Sequence, residues 1–313
     1  MKKILSILCL LAFLLTFCAS CTPKKEGFEV VCTNFASYEW AKAVIGETGA
    51  SLSMLSENGA DMHNYEPTVK HLAKISDCDV FIYTGGESEA WVEKALRNPK
   101  NKNRQVICLA DTLGHENLKC GEDGDHNHAT HHHEHAFDEH IWLSLPFAMT
   151  LVQKIADTMS LALPANADTY QANATAYICA LEALHLRMQT TVQNANKNTL
   201  VFADRFPFLY LVCDYGLSYA AAFDGCSTET NATPATLISL ARTCDEKGIS
   251  ALLIIDGSDG SVAEGVISCA QNQNMQILTL NSMQSISKKD MDAGASYLSI
   301  FEANVAIIEM ALS

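Results

Sequence analysis

Positive charge is scarce in this chain. Lys and Arg number 21 against 36 Asp and Glu, a formal net charge of −15. No basic cluster stands out beyond a few lysines, which argues against a nucleic-acid partner. Charged residues of both signs reach only 18% while hydrophobic residues reach 48%, a balance that suits a packed core rather than disorder. No apolar run attains the roughly 20 residues of a membrane-spanning helix. A Gly-rich phosphate loop, an HExxH pair and a GxSxG elbow are all missing, so the common phosphate, metallopeptidase and hydrolase signatures are absent. Of the 12 cysteines, none of the nine that follow Cys21 has a CxxC partner, which argues against a cysteine zinc site. Nine is also odd, so at least one thiol stays unpaired. Cys32, Cys78 and Cys108 sit in apolar runs and read as small core residues.

What is present begins with an address. Met1-Lys2-Lys3 is followed by an apolar stretch of 12 residues, 4–15, and then by Ala19-Ser20-Cys21. The pattern is that of an export signal, residues 1–20. Its small-residue ending resembles a bacterial lipobox, in which Cys21 becomes the lipidated first residue, although Cys18 stands where an aliphatic residue is usual. Residues 21–27 read as a polar tether. The expected location is extracytoplasmic, anchored by lipid to the bacterial cell membrane.

Beyond the tether, strand-length apolar runs alternate with helix-period segments. Strands are expected at 28–33, 51–55, 79–84 and 105–109, with helices at 37–45, 67–75 and 87–97. Residues 111–139 interrupt the pattern, being acidic and His-rich; periodicity returns over 141–163. Residues 167–196 carry no Gly or Pro and read as one long helix. The alternation then restarts, with strands at 199–203, 217–222, 250–256 and 276–280 and helices at 208–215, 234–247, 261–272 and 293–312. Short continuous apolar strands between helices predict parallel sheets covered on both faces. The expected fold is α/β: an N-terminal lobe 28–165 with a His-rich loop 115–139, a linking helix 166–197 and a C-terminal lobe 198–313. Ligands of such sheets bind beyond the carboxyl ends of the strands, so the crevice between the lobes is the expected site.

Two histidines stand at matching positions. His63 lies in Gly59-Ala60-Asp61-Met62-His63-Asn64-Tyr65-Glu66-Pro67, after a strand and before a helix. His140 lies in Asp138-Glu139-His140-Ile141-Trp142-Leu143, also at a helix start. Neutral imidazoles converging from two such junctions suit zinc and other borderline divalent ions. Each, taken alone, is more often a helix-start or surface residue than a ligand.

These two words resemble the first and second metal-ligand motifs of the metal-binding subunits of bacterial zinc and manganese ABC importers. The likeness covers essentially the whole chain after the leader. It implies two lobes joined by a rigid helix with the metal between them, and His63 and His140 as ligands. The family's third ligand falls in a stretch like H-D-A-F-x-Y. Here that stretch is Ala203-Asp204-Arg205-Phe206-Pro207-Phe208-Leu209-Tyr210, which puts Arg205 at the ligand position. Arginine stays protonated and cannot ligate, so the adjacent Asp204, which has a usable carboxylate, is the candidate third ligand; its other reading is a partner of Arg205 or a cap of the following helix. The fourth position falls on Asn281, a weak neutral donor. Glu229 and Asp256 are acids in loops facing the expected cleft.

The insertion 123–135 holds His126, His128, His131, His132, His133 and His135, six of the 11 histidines. Having no apolar residue larger than Ala129, it reads as a flexible, low-affinity zinc trap beside the main site. Imidazoles favour zinc over manganese, which prefers oxygen. The resemblance therefore implies a solute-binding lipoprotein, a monomer and not an enzyme, that hands zinc to an ABC importer permease. The alternatives are a zinc hydrolase with Glu66 or Glu229 as base and a metallophore-binding protein of the same two-lobed class.

Overall fold

The computed structural model describes residues 27–56, 65–119, 137–223, 225 and 232–313. Within them the chain forms two four-stranded sheets in which every adjacent pair is parallel.

The first sheet has the order β2-β1-β3-β4, from β1 (Glu29–Cys32), β2 (Ser51–Met54), β3 (Val80–Tyr83) and β4 (Gln105–Cys108). Helices α1 (Phe35–Ile45), α2 (Val69–Asp77), α3 (Val92–Leu96) and α4 (Leu109–Leu113) connect and cover it. The second sheet has the equivalent order β6-β5-β7-β8, from β5 (Thr199–Arg205), β6 (Ser218–Phe223), β7 (Ala251–Ile255) and β8 (Gln276–Leu280). It carries α7 (Leu209–Asp214), α8 (Pro234–Lys247), α9 (Ser261–Cys269), α10 (Lys288–Asp292) and α11 (Tyr297–Ala311). In each sheet the strand order reverses beside the first strand, so the switch points lie between β1 and β3 and between β5 and β7. Side chains at the carboxyl ends of those strands are where a ligand is expected.

Between the sheets run α5 (Leu145–Ala162) and α6 (Ala167–Asn194). At 1.5 Å per residue α6 spans about 42 Å. It buries Tyr170, Ala174, Leu181 and Met188, four and then seven residues apart, along one stripe. This is the narrow seam of a helix that packs on one side and faces water on the other. The N-terminal core, α6 and much of the C-terminal core form one continuous apolar cluster. Trp40 of α1 meets Tyr297 of α11 edge-on at 5.3 Å, and the Tyr297 hydroxyl donates to the Trp142 carbonyl at 2.6 Å. The last helix thus folds back onto the first lobe. Among the described residues no helix is long and apolar enough to cross a membrane. Cys32 and Cys78 are fully buried in strand and helix-end positions as expected, and Cys108 is partly so. Burial pushes the Cys32 thiol pKa up.

Local differences from expectation have identifiable causes. The helix expected at 87–97 is a 3-10 turn, Glu87–Glu89, followed by α3. Glu89 turns inward to accept the Gly85 amide at 2.8 Å and is 4% exposed, which a regular outward-facing helical turn would not permit. The periodicity at 141–163 divides into a 3-10 turn, Ile141–Leu143, and α5, which Ser144 caps by accepting from the Phe147 amide. The closing helix starts at Tyr297, where Ser296 and Ser299 form a reciprocal cap. Two short helices, α4 and α10, lack the length for a periodic signal.

Candidate metal centre at the junction of the lobes

His140 follows Asp138 by two residues, and this spacing bends the chain back on the carboxylate. Asp138 Oδ1 accepts both the His140 backbone amide at 2.9 Å and the ring Nδ1–H at 2.8 Å. The His140 ring is 0% exposed and the Asp138 side chain 8%. A carboxylate on Nδ1 fixes the tautomer, so Nε2 carries the lone pair that a metal ion can take. Nε2 is met by the Gln284 side-chain nitrogen at 2.6 Å, which must then be the donating amide N–H. The Trp142 ring packs edge-on against the imidazole at 5.3 Å.

The segment around His140 is joined to the C-terminal lobe at several points. The Trp142 indole donates to the Ser282 carbonyl at 2.9 Å. The Tyr210 hydroxyl donates to the Asp138 carbonyl at 2.8 Å and accepts from the Lys119 amide at 3.2 Å. His140 therefore belongs to the first lobe by sequence and to the junction by contact.

Asp204 stands at the end of β5, beside the β5/β7 switch point. Its carboxylate accepts the Arg205 amide at 2.8 Å and, more loosely, the Ile255 amide at 3.4 Å. Asn281 follows β8. Asp204 and Asn281 line one cavity of about 750 Å³ together with Arg205, Asp256, Ile286 and Asp290. The Asn281 side-chain oxygen accepts the Met283 amide at 2.8 Å, while its backbone exchanges two bonds with the Asn304 carboxamide. Asp256 accepts both the amide and the hydroxyl of Ser282, at 2.6 and 2.8 Å. Asn281 thus shapes the turn, and one of its carbonyl lone pairs is already used there.

The structure brings Asp204 and Asn281 to one cavity. His140 adjoins it through Gln284, which precedes the lining residue Ser285. Among the described residues, no three His, Cys, Asp or Glu side chains group so as to hold a metal ion. His63, the histidines 126–135, Glu229 and Cys21 lie outside the described residues. Glu66 is exposed. Sequence reasoning overlooked Asp138 and Gln284. Asp138 stood in the quoted motif, and its spacing to His140 was the available signal. Gln284 is 144 residues from His140 and offered none.

A second polar cluster lies behind His140. Glu139 accepts the Ser88 amide at 2.9 Å and packs against Gly86, whose φ of +94° suits glycine and whose missing Cβ would fall 2.5 Å from the Glu139 carboxylate. Beside it, the Glu89 carboxyl is pushed up to about 7, chiefly by burial, with the Glu139 charge adding to the rise. The Thr33 hydroxyl and the Gly85 amide act in the opposite sense.

The family model described as zinc-uptake complex component A, periplasmic, matches residues 30–311. The zinc-binding lipoprotein AdcA of Streptococcus pneumoniae serotype 4 is 32% identical over 317 residues, covering 99% of this chain and 61% of its own length. The chain therefore spans less than two thirds of that relative. The high-affinity zinc uptake system protein ZnuA of Bacillus subtilis strain 168 is 26% identical over 296 residues, covering 94% of this chain and 90% of its own length. The crystal structure of the Zn(II)-bound ZnuA-like domain of Streptococcus pneumoniae AdcA superposes with a TM-score of 0.73 at 28% identity, covering 91% of this chain and 99% of that one.

Proposed function

The chain belongs to the zinc-uptake complex component A family, and from that premise we propose that it is an extracytoplasmic solute-binding lipoprotein that captures zinc and delivers it to the permease of an ABC importer. The observation that carries the reading is the buried His140, its Nδ1 held by Asp138 and its Nε2 left as the acceptor, at the point where the two lobes meet. Zinc is the cargo, and no bond is made or broken.

In this reading His63, His140 and Asp204 supply the nitrogen and oxygen donors, and Asn281 shapes the turn beside them. An N/O set of this kind fits zinc, which accepts imidazole and carboxylate in a compact shell. Manganese, which favours oxygen, fits less well. Cys21 attaches the chain to the membrane through its acyl groups, and the protein acts as a monomer. The His-rich insertion collects zinc weakly beside the main site. Deleting residues 123–135 should therefore lower the zinc stoichiometry toward about one per chain and leave the tightest affinity unchanged.

The test is elemental analysis of the protein purified without added metal, followed by zinc and manganese titrations. Tight zinc binding that raises the melting temperature by mass action supports the reading. A melting temperature indifferent to zinc overturns it.

A further inference from the structure

Lys119 and Asp138, on either side of the His-rich insertion, meet: the Asp138 amide donates to the Lys119 carbonyl at 2.8 Å. A third group closes this contact from the other lobe. The Tyr210 hydroxyl accepts the Lys119 amide at 3.2 Å and donates to the Asp138 carbonyl at 2.8 Å. Along the chain Tyr210 is 91 residues from Lys119 and 72 from Asp138. The same oxygen therefore satisfies a donor and an acceptor. A hydroxyl can do both at once, whereas lysine, arginine and tryptophan side chains only donate.

Tyr210 is itself firmly placed. It sits in the first turn of α7 and is 1% exposed. Its ring packs against Phe147 of α5 with centroids 5.4 Å apart. The stem is a rigid ring, so seating the ring fixes the hydroxyl.

The consequence falls on Asp138. Its amide is held by Lys119 and its carbonyl by Tyr210, so both main-chain polar groups are taken. A fixed main chain restricts the rotamers open to a short side chain. The Asp138 carboxylate points at His140, whose amide and Nδ1–H reach Oδ1 at 2.9 and 2.8 Å. The C-terminal lobe thereby takes part in orienting an imidazole that belongs to the first lobe.

We propose that Tyr210 is a positioning residue of the metal site: resting on the reading of His140 as a ligand, it holds from the C-terminal lobe the carboxylate that orients that ligand. It acts through Asp138. Removing the hydroxyl should lower zinc affinity about two- to tenfold, the range that one net hydrogen bond commands.

The test compares the full chain with Tyr210→Phe, Asp138→Asn and the double variant. Tyr210→Phe keeps the ring and its seat on Phe147 and loses only the oxygen; thermal melts of the metal-free proteins establish that each variant folds. Zinc affinity is measured by competition with a fluorescent chelator. The zinc-free imidazoles are observed by long-range proton–nitrogen NMR, with the His140 signal assigned by its loss in His140→Ala. Tyr210→Phe alone is expected to bind zinc about two- to tenfold more weakly and to shift the His140 Nδ1–H signal. In the Asp138→Asn background the same substitution should change affinity by about twofold at most, because the carboxylate through which it acts is gone. Equal affinity for Tyr210→Phe and the wild type overturns the proposal. So does an equal loss in both backgrounds, which is what a general loosening of the fold would produce. An unmoved His140 signal overturns it as well. A wild type that binds no zinc overturns the metal reading instead, and the His140 signal then judges Tyr210 by itself.

Discussion

The Trp142 indole N–H donates to the Ser282 carbonyl at 2.9 Å, across 140 residues of sequence. Both partners adjoin the candidate site, Trp142 two residues after His140 and Ser282 two residues before Gln284. The bond therefore fixes the spacing between the imidazole of one lobe and the turn of the other. Trp142→Phe keeps much of the ring but leaves a buried carbonyl unsatisfied. It should cost about 1–3 kcal/mol of stability, read from urea melts of the metal-free protein. A change well under 1 kcal/mol would mean that water replaces the indole and that the lobes are positioned by Tyr210 and Tyr297 instead.

The Asp138 carboxylate sets which nitrogen of His140 is protonated. Asp138→Asn can present an N–H where an acceptor is needed and so favours the opposite tautomer. Zinc affinity should fall about 10- to 100-fold, the usual cost of losing an orienting partner of a ligating histidine. His140→Ala should weaken it further. Chelator competition at neutral pH measures both, and equal zinc affinity for Asp138→Asn and the wild type would argue against His140 ligation.

The regular part of the fold was legible in the sequence where local chemistry and tertiary need agree. The helix expected at 234–247 is observed as Pro234–Lys247 because Thr233 caps it, Pro234 suits its first turn and Gly248 ends it in the left-handed region. The strand at 276–280 is likewise observed as Gln276–Leu280. Failure came where a side chain serves a distant partner. The segment 87–97 has helical composition, yet Glu89 abandons the helix to bind the Gly85 amide inside the protein. At the site, the helix-start position and the surrounding motif made His140 conspicuous, while the Asp138 spacing beside it went unused. The Gln284 contact depends on where the second sheet sits against the first, and no local pattern encodes that.

The buried Glu89 gives the metal-free protein a pH dependence of stated sign. Its carboxyl is raised to about 7 in the folded state, against roughly 4.3 in an unfolded chain. Between those values the folded state binds the proton more strongly. The unfavourable contribution is absent below about pH 4.3, grows as pH rises through the interval and is complete above 7. Stability should therefore decline from pH 5 to pH 7.5 by an amount on the order of 3 kcal/mol from this group alone. Glu89→Gln should remove most of that slope and be more stable than the wild type at pH 7.5. Denaturant melts at the two pH values, without zinc, test it; an undiminished slope in the variant would assign the dependence elsewhere.

Asp204 is a candidate donor that lines the cavity at the end of β5. It shares that cavity with Arg205, Asp256, Asn281 and Asp290, and its carboxylate is engaged by two backbone amides, one of them at 3.4 Å. Each carboxylate oxygen retains acceptor capacity. If Asp204 is the third donor, Asp204→Ala should lower zinc affinity by several kcal/mol, since two histidines alone do not close the shell. Asp204→His should restore binding by offering an imidazole in its place. Asp256→Asn is the control: Asp256 lines the same cavity, but its Oδ1 is committed to Ser282, so its loss should alter stability more than zinc affinity. Titration of the three variants separates the assignments. If Asp256→Asn costs more zinc affinity than Asp204→Ala, the third donor is Asp256, and the turn at Ser282 rearranges when the metal arrives.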